Sequence, residues 1–306
     1  MSTEAVIKVE GLYKHYKDVK AVDGISFEVF EGEIFGIVGP NGAGKTTAVE
    51  CIEGLRVPDK GIIKVLGLDP QRDGKKLRER VGIQLQEGRL PDIIKVWEAL
   101  ELFASFYSRP KPWQPILEEL GLSEKTGAYF ETLSGGQKQR LYIAISLVSD
   151  PEIVYLDELT TGLDPQARRA MWGLVQSIRH KGKTVVLITH FMEEAERLCD
   201  RVAIVDKGNI IALDTPANLA RGLDTGFQIL FSVAETSIKM ELEKASSVIR
   251  IEQDREQFVV HGRDNRAIIE VVNILTQNNI RFSDFSVKQS NLEDVFLSLT
   301  GERMRD

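Results

Sequence analysis

Residues Gly39-Pro40-Asn41-Gly42-Ala43-Gly44-Lys45-Thr46 spell G-x-x-x-x-G-K-[ST] between an apolar run, Ile34 to Val38, and a helical pattern near Thr46 to Glu53. Strand, glycine-rich loop, helix is the context in which this string folds as a phosphate-binding loop, and it commits the chain to an α/β fold. Glycines let successive backbone N–H groups curl around an anion, and the helix N-terminus behind them adds its positive end. Lys45 can neutralise terminal phosphates and the Thr46 hydroxyl can ligate Mg²⁺, with Thr47 next in the nucleotide-binding loop.

The rest of the chain extends this rhythm. Further strands are expected at Val81 to Ile83, Ile153 to Leu156, Thr184 to Ile188 and Arg201 to Val205, with helices at Pro165 to His180 and Phe191 to Leu198. Between about 87 and 150 the alternation stops: Val96 to Tyr107, Pro115 to Leu120 and Gly135 to Val148 read as helices with no strand between them, a helical subdomain. The glycine-flanked break at Arg221-Gly222-Leu223-Asp224-Thr225-Gly226 reads as a linker, so domains are expected at 1–221 and 222–306, about the number that 306 residues suit. Beyond it, Phe227 to Val233, a helix at Glu235 to Lys244, Val248 to Gln253, Gln257 to Val260, a helix at Arg266 to Asn278 and Phe282 to Val287 give a βαββαβ order. That order suits a small ferredoxin-like α+β domain, closed by a helix at Leu292 to Leu299.

Composition narrows the function classes. Lysine and arginine number 39 against 46 acids, a net charge of -7, which is not the uniform basic footprint of a sequence-independent nucleic-acid binder. No run approaches the 18 or so apolar residues that span a bilayer, and Met1-Ser2-Thr3-Glu4-Ala5 opens without an apolar leader, so a cytosolic chain is expected. The two cysteines, Cys51 and Cys199, stand far apart in helix-like patterns and read as reduced core residues.

Ile153-Val154-Tyr155-Leu156-Asp157-Glu158 is an apolar strand ending in two acids, the arrangement that brings a carboxylate to the sheet edge where a phosphate is held. Alternation points neighbouring side chains apart, which suits Asp157 to a Mg²⁺ shell and Glu158 to orienting or deprotonating an attacking water. Leu133-Ser134-Gly135-Gly136-Gln137 has a plain explanation as a capping box, Ser134 at the N-cap and Gln137 at N3. Its glycines ask for more, since each destabilises a helix turn by roughly 0.5–1 kcal/mol relative to alanine, and a bare backbone at a helix N-terminus admits an anion.

At these residues the chain closely resembles the ATP-binding cassette (ABC) family, whose signature reads LSGGQ just before the acidic strand. The resemblance covers nearly all of residues 5 to 220 and implies ATP and Mg²⁺ as ligands. It also implies a head-to-tail homodimer in which the signature of one chain closes on the γ-phosphate held by the loop of the other. By the same resemblance Tyr16 stacks on adenine, Gln86 is the Q-loop glutamine and a Mg²⁺ ligand, Asp164 belongs to the D-loop Gly162-Leu163-Asp164, and His190 is the switch histidine. Asp164-Pro165 also suits an N-cap and N1 pair. One departure is visible: Leu159 stands where the family usually has proline after the glutamate, which relaxes the fixed φ of that segment.

The ending Asn291-Leu292-Glu293-Asp294-Val295-Phe296-Leu297 resembles the tails of ATP-binding subunits from export-type, drug-resistance-like transporters. The expected function is therefore an ATPase subunit of an exporter, driving separate membrane-spanning permease subunits from the cytoplasmic face of the cell membrane, with no nucleic acid involved. A contrasting class is the soluble cassette ATPase that acts on ribosomes or nucleic acid. Such proteins carry paired cassettes, long coiled-coil inserts or cysteine-rich segments, and one phosphate loop, one signature and two cysteines speak against all three. A third reading makes the C-terminal domain a small-molecule sensor.

Overall fold

A computed structural model of the chain describes residues 4–84, 90–221, 227–233, 238–263 and 265–301. It divides into two units, Met1–Asp214 and Thr215–Asp306.

In the first unit the strands are β1 (Ala5–Tyr16), β2 (Val19–Phe30), β3 (Ile34–Val38), β4 (Lys60–Val65), β5 (Val81–Gln84), β6 (Ile153–Asp157), β7 (Thr184–Thr189), β8 (Arg201–Asp206) and β9 (Asn209–Asp214). Six of them form a sheet in the order β5-β6-β7-β3-β8-β9, parallel except for the β8–β9 hairpin. Every residue of β3, β6 and β7 is buried, which is why these strands read as continuous apolar runs rather than alternating ones. The register sets Val38 beside Thr189 and Asp157 beside Ile188, so the carboxyl ends of β3, β6 and β7 open side by side. In a doubly wound sheet this edge is where ligands bind.

A second, antiparallel sheet, β2-β1-β4, covers the phosphate-loop helix and was not expected from the sequence. Its inner face carries Ile7, Val9, Leu12, Ile25, Phe27 and Val29, all in one core cluster with Phe35 and Ile37 of β3. The rings of Phe27 and Phe35 stack at 5.3 Å and tie the two sheets.

The helices of this unit are α1 (Lys45–Ile52), α2 (Gly74–Arg78), α3 (Val96–Ala104), α4 (Trp113–Glu119), α5 (Gly135–Leu147), α6 (Pro165–His180) and α7 (Met192–Leu198). Between residues 90 and 150 the described elements are α3, α4, α5 and two short 3-10 turns. The free cysteines are both buried, Cys51 in α1 and Cys199 at the end of α7.

The second unit contains α8 (Pro216–Arg221), β10 (Phe227–Val233), α9 (Lys239–Leu242), β11 (Val248–Asp254), β12 (Gln257–Gly262), α10 (Arg266–Gln277), β13 (Phe282–Gln289) and α11 (Leu292–Thr300). Its strands lie in the order β11-β12-β10-β13, each pair antiparallel, over a core of Phe231, Phe258, Val260, Val271 and Leu275. The division falls ahead of Arg221 because α8 packs against α11 of the same unit, while β9 ends the first unit's sheet at Asp214. Part of the helix expected at Glu235 to Lys244 lies outside the described residues; the described part is α9.

Candidate functional site

The loop between β3 and α1 closes because of its glycines. Gly44 is the N-cap of α1 at φ +100, and a Cβ there would stand 1.9 Å from the Ala21 carbonyl oxygen; one on Gly39, at φ +154, would stand 2.1 Å from that of Val205. No other residue fits either position. The Gly208 N–H donates to the Ala43 carbonyl at 2.9 Å, pinning the loop to the β8–β9 turn. Lys45 is 5% exposed, and its Nζ donates to the carbonyl oxygens of Gly39 (2.8 Å) and Pro40 (3.0 Å). Burial pushes the Lys45 ammonium below its usual range, opposed by the charges of Glu158 and Asp157. The ammonium thus sits folded under the loop beside two acids.

Beside it, Asp157 ends β6. Burial, then the neighbouring Glu158 charge, push its carboxyl up to about 6, and Lys45 opposes them. Its Oδ1 is buried and accepts no hydrogen bond among the described residues. A buried carboxylate oxygen left without a partner and influenced by the Lys45 charge has the hard-oxygen chemistry that suits Mg²⁺, as does the Thr46 hydroxyl in the loop cavity.

Glu158 leaves the strand in the left-handed region, φ +47, while its N–H donates to the Ile188 carbonyl at 2.9 Å. The turn swings its carboxylate across the ends of the strands to within 3.3 Å of His190 Nδ1. Leu159 is fully buried, so packing holds the segment in place of the missing proline ring.

A cavity of about 570 Å³ gathers Asn41, Gly42, Gly44, Lys45, Thr46, Thr47 and Glu158. It also gathers Val19, Lys20 and Lys207, residues the sequence had not singled out. Lys207 occupies the β8–β9 turn, next to Gly208 in the chain, and only that pairing brings it beside the phosphate loop. Tyr16 does not line this cavity: it closes β1, 38% exposed, with Lys14 Nζ at 5.5 Å and Arg56 Cζ at 5.4 Å from its ring centroid. Gln86 lies outside the described residues.

The signature segment forms the capping box read from its sequence. The Ser134 N–H donates to Gln137 Oε1 at 2.9 Å and the Gln137 N–H to Ser134 Oγ at 3.3 Å. Among the described residues a Cβ on Gly135 or Gly136 would approach nothing nearer than 3.7 Å and 3.8 Å respectively, so this packing demands glycine at neither position. These residues line a separate cavity of about 340 Å³ with Arg140, Gly162, Leu163 and Asp164. Asp164 caps α6, its Oδ1 accepting the N–H groups of Gln166 and Ala167 at 2.9 Å each. Among the described residues none lines both cavities.

A family model described as ABC transporter matches residues 22–161. The chain is 37% identical, over 98% of its length and 95% of the relative's, to a Nod factor export ATP-binding protein I of Ralstonia nicotianae. It is 35% identical, over 99% of its length and 98% of the relative's, to the daunorubicin resistance ATP-binding protein DrrA3 of Streptomyces coeruleorubidus. Among solved structures it resembles MJ0796, a bacterial ABC transporter cassette described as dimeric, with a TM-score of 0.61 and 27% identity over 68% of this chain and 98% of that one.

Proposed function

This chain belongs to the ABC transporter family, and from that premise we propose that it powers an exporter as a homodimeric ATPase bound to separate permease subunits. It is an ATP-binding and hydrolysing subunit. No helix of the described residues is long and apolar enough to cross a membrane, so a transport role calls for a membrane-spanning partner. Relatives named for Nod factor export and for daunorubicin resistance support outward transport.

The observation that carries the dimer is the separation of the two cavities. Among the described residues, nothing packs closely enough to require the signature glycines, and the space they face shares no lining residue with the phosphate-loop cavity. A bare helix N-terminus offered outward suits the γ-phosphate held by a second copy, with Ser134, Gly135, Gly136 and Gln137 completing the site.

Within one copy, Lys45 exchanges the Gly39 and Pro40 carbonyls for terminal phosphate oxygens, which charge-assisted bonding favours. Backbone N–H groups of the loop from Asn41 to Gly44 hold the anion, Thr46 and Thr47 follow at the helix start, and Lys20 and Lys207 add positive charge at the rim. Asp157 and Thr46, with Gln86, would hold Mg²⁺, whose chemistry there is to neutralise phosphate charge as the bond to the leaving oxygen breaks. Glu158 takes or orients the proton of the attacking water, and His190 steadies that carboxylate and faces the γ-phosphate. Tyr16 offers a ring face to adenine.

For the permease, a groove of about 520 Å³ runs between the core and the helical segment, lined by Val81, Ile83, Phe103, Phe106, Tyr107 and Ile145 among others. Phe106 is 66% exposed there, a large apolar surface left to solvent. The second unit reads as a separable accessory domain, and its β11-β12-β10-β13 order supports a ferredoxin-like assignment. The test is purification of the tagged full chain from membranes: a polytopic membrane protein is expected at a fixed ratio to it, and Phe106→Glu should release that partner. Recovery with ribosomes and no membrane protein would reverse the reading.

A further inference from the structure

We propose that Glu194 is a positioning residue for ATP hydrolysis, tying the helix that follows His190 to α6 and so holding the histidine in place; the proposal rests on the site reading above. Glu194 lies in α7, the helix that follows His190, and it is 0% exposed. Trp172 of α6 donates its indole N–H to Glu194 Oε1 at 3.1 Å. Since Asp164 caps α6, this one bond joins the helix leaving the signature cavity to the helix leaving the histidine.

The surroundings form a continuous set of contacts. Arg168, one turn before Trp172 on α6, holds its guanidinium 4.5 Å over the Phe191 ring, and that ring lies 4.0 Å from the His190 ring, centroid to centroid. Arg197, one turn after Glu194 on α7, lies 5.0 Å over the Trp172 ring. Burial raises the Glu194 carboxyl above its ordinary range, and Thr189, Trp172, Thr160 and the Arg168 charge act against that rise. Thr189 immediately precedes His190, and Thr160 lies two residues beyond Glu158. The geometric ties are the indole bond to Glu194 and the Arg168–Phe191–His190 stack, both running from α6 to the segment that carries His190.

A buried carboxyl is costly, and an apolar residue would fill the same space more cheaply. What the acid supplies is an acceptor with fixed geometry, and moving His190 out of place then requires breaking the indole bond or shifting α6. Displacements of about 1 Å at a reacting centre are enough to slow chemistry while leaving substrate binding intact.

The test is steady-state ATP hydrolysis by the full chain as Glu194→Ala, Glu194→Gln, Trp172→Phe, His190→Ala and the double variant His190→Ala/Glu194→Ala. Loss of a supporting group of this kind costs roughly tenfold or more, so Glu194→Ala should lower kcat by about that factor with the KM for ATP unchanged. Glu194→Gln, whose amide oxygen still accepts from Trp172, should recover most of the rate. Trp172→Phe, which keeps a ring and loses the donor, should slow hydrolysis in the same way and carries the test should Glu194→Ala not fold. The double variant should be no slower than His190→Ala alone, because Glu194 acts through the histidine. A raised KM with unchanged kcat, a Glu194→Gln variant as slow as the alanine, or multiplicative slowing in the double variant would overturn the proposal. Wild-type hydrolysis by His190→Ala would instead overturn the site reading beneath it, a result distinct from any in the Glu194 series.

Discussion

His190 Nδ1 and Glu158 Oε1 stand 3.3 Å apart across the carboxyl ends of β7 and β6, neighbouring parallel strands. The pair exists because Glu158 leaves β6 at φ +47, a conformation costing a non-glycine residue roughly 1–2 kcal/mol. The turn is held by the Glu158 N–H, which donates to the Ile188 carbonyl at 2.9 Å. Glu158→Gln keeps the shape and loses the base, so ATP affinity should hold while kcat falls about 10²–10⁴-fold. Parallel measurements of nucleotide binding and phosphate release check this.

Lys45→Ala removes the cation seated under the phosphate loop, whose Nζ is held by the Gly39 and Pro40 carbonyls. ATP affinity is expected to fall by about tenfold or more and hydrolysis to disappear, since a charge-assisted bond to phosphate contributes roughly 1.5–3 kcal/mol. Titration of the variant with a fluorescent ATP analogue reads the effect.

Gly136→Ala separates folding from function. A Cβ there would come no nearer than 3.8 Å to Ala167, and alanine favours a helix by about 0.5–1 kcal/mol. The variant should therefore melt no lower than the parent and yet hydrolyse ATP poorly, because the added methyl group occupies the approach to the signature N-terminus. Thermal unfolding beside an ATPase assay distinguishes this from simple misfolding.

Glu53, at the end of α1, is 7% exposed, and burial with the nearby charges of Asp157 and Glu50 pushes its carboxyl up to about 8. An acid whose pKa rises on folding keeps a proton that the unfolded chain releases, so folding takes up a proton between about pH 4.5 and pH 8. The contribution of Glu53 to stability is fully present below the unfolded value and declines by a few kcal/mol as pH rises through that window. Glu53→Gln, a neutral isostere, should match the parent near pH 5 and unfold at a higher temperature near pH 8.5.

How much of this could be read from the residues depends on where each signal lies. The parallel strands, the loop and α1 were legible because β3, β6 and β7 are buried end to end and punctuated by Gly39, Glu158 and His190. The β2-β1-β4 sheet was not. Its strands alternate buried and wet residues, and long-range pairing such as Val9 with Ile63 leaves no local mark. Lys207 escaped for the same reason, since only the β8–β9 pairing brings that turn to the phosphate loop. The buried role of Glu194 was equally hidden, because on α7 it reads as one acid among several in Glu193, Glu194 and Glu196.

If each ATP site is built from two copies, two variants that are each inactive should complement one another. Lys45→Ala disables the phosphate loop, and Ser134→Arg blocks the signature cavity that Ser134 lines. Each alone should fail to hydrolyse ATP, while an equimolar mixture should recover activity in a single-turnover assay, since a mixed dimer pairs the intact loop of one chain with the intact signature of the other. Wild-type hydrolysis by Ser134→Arg alone, or no recovery in a mixture shown to contain mixed dimers, would mean that each site is complete within one copy.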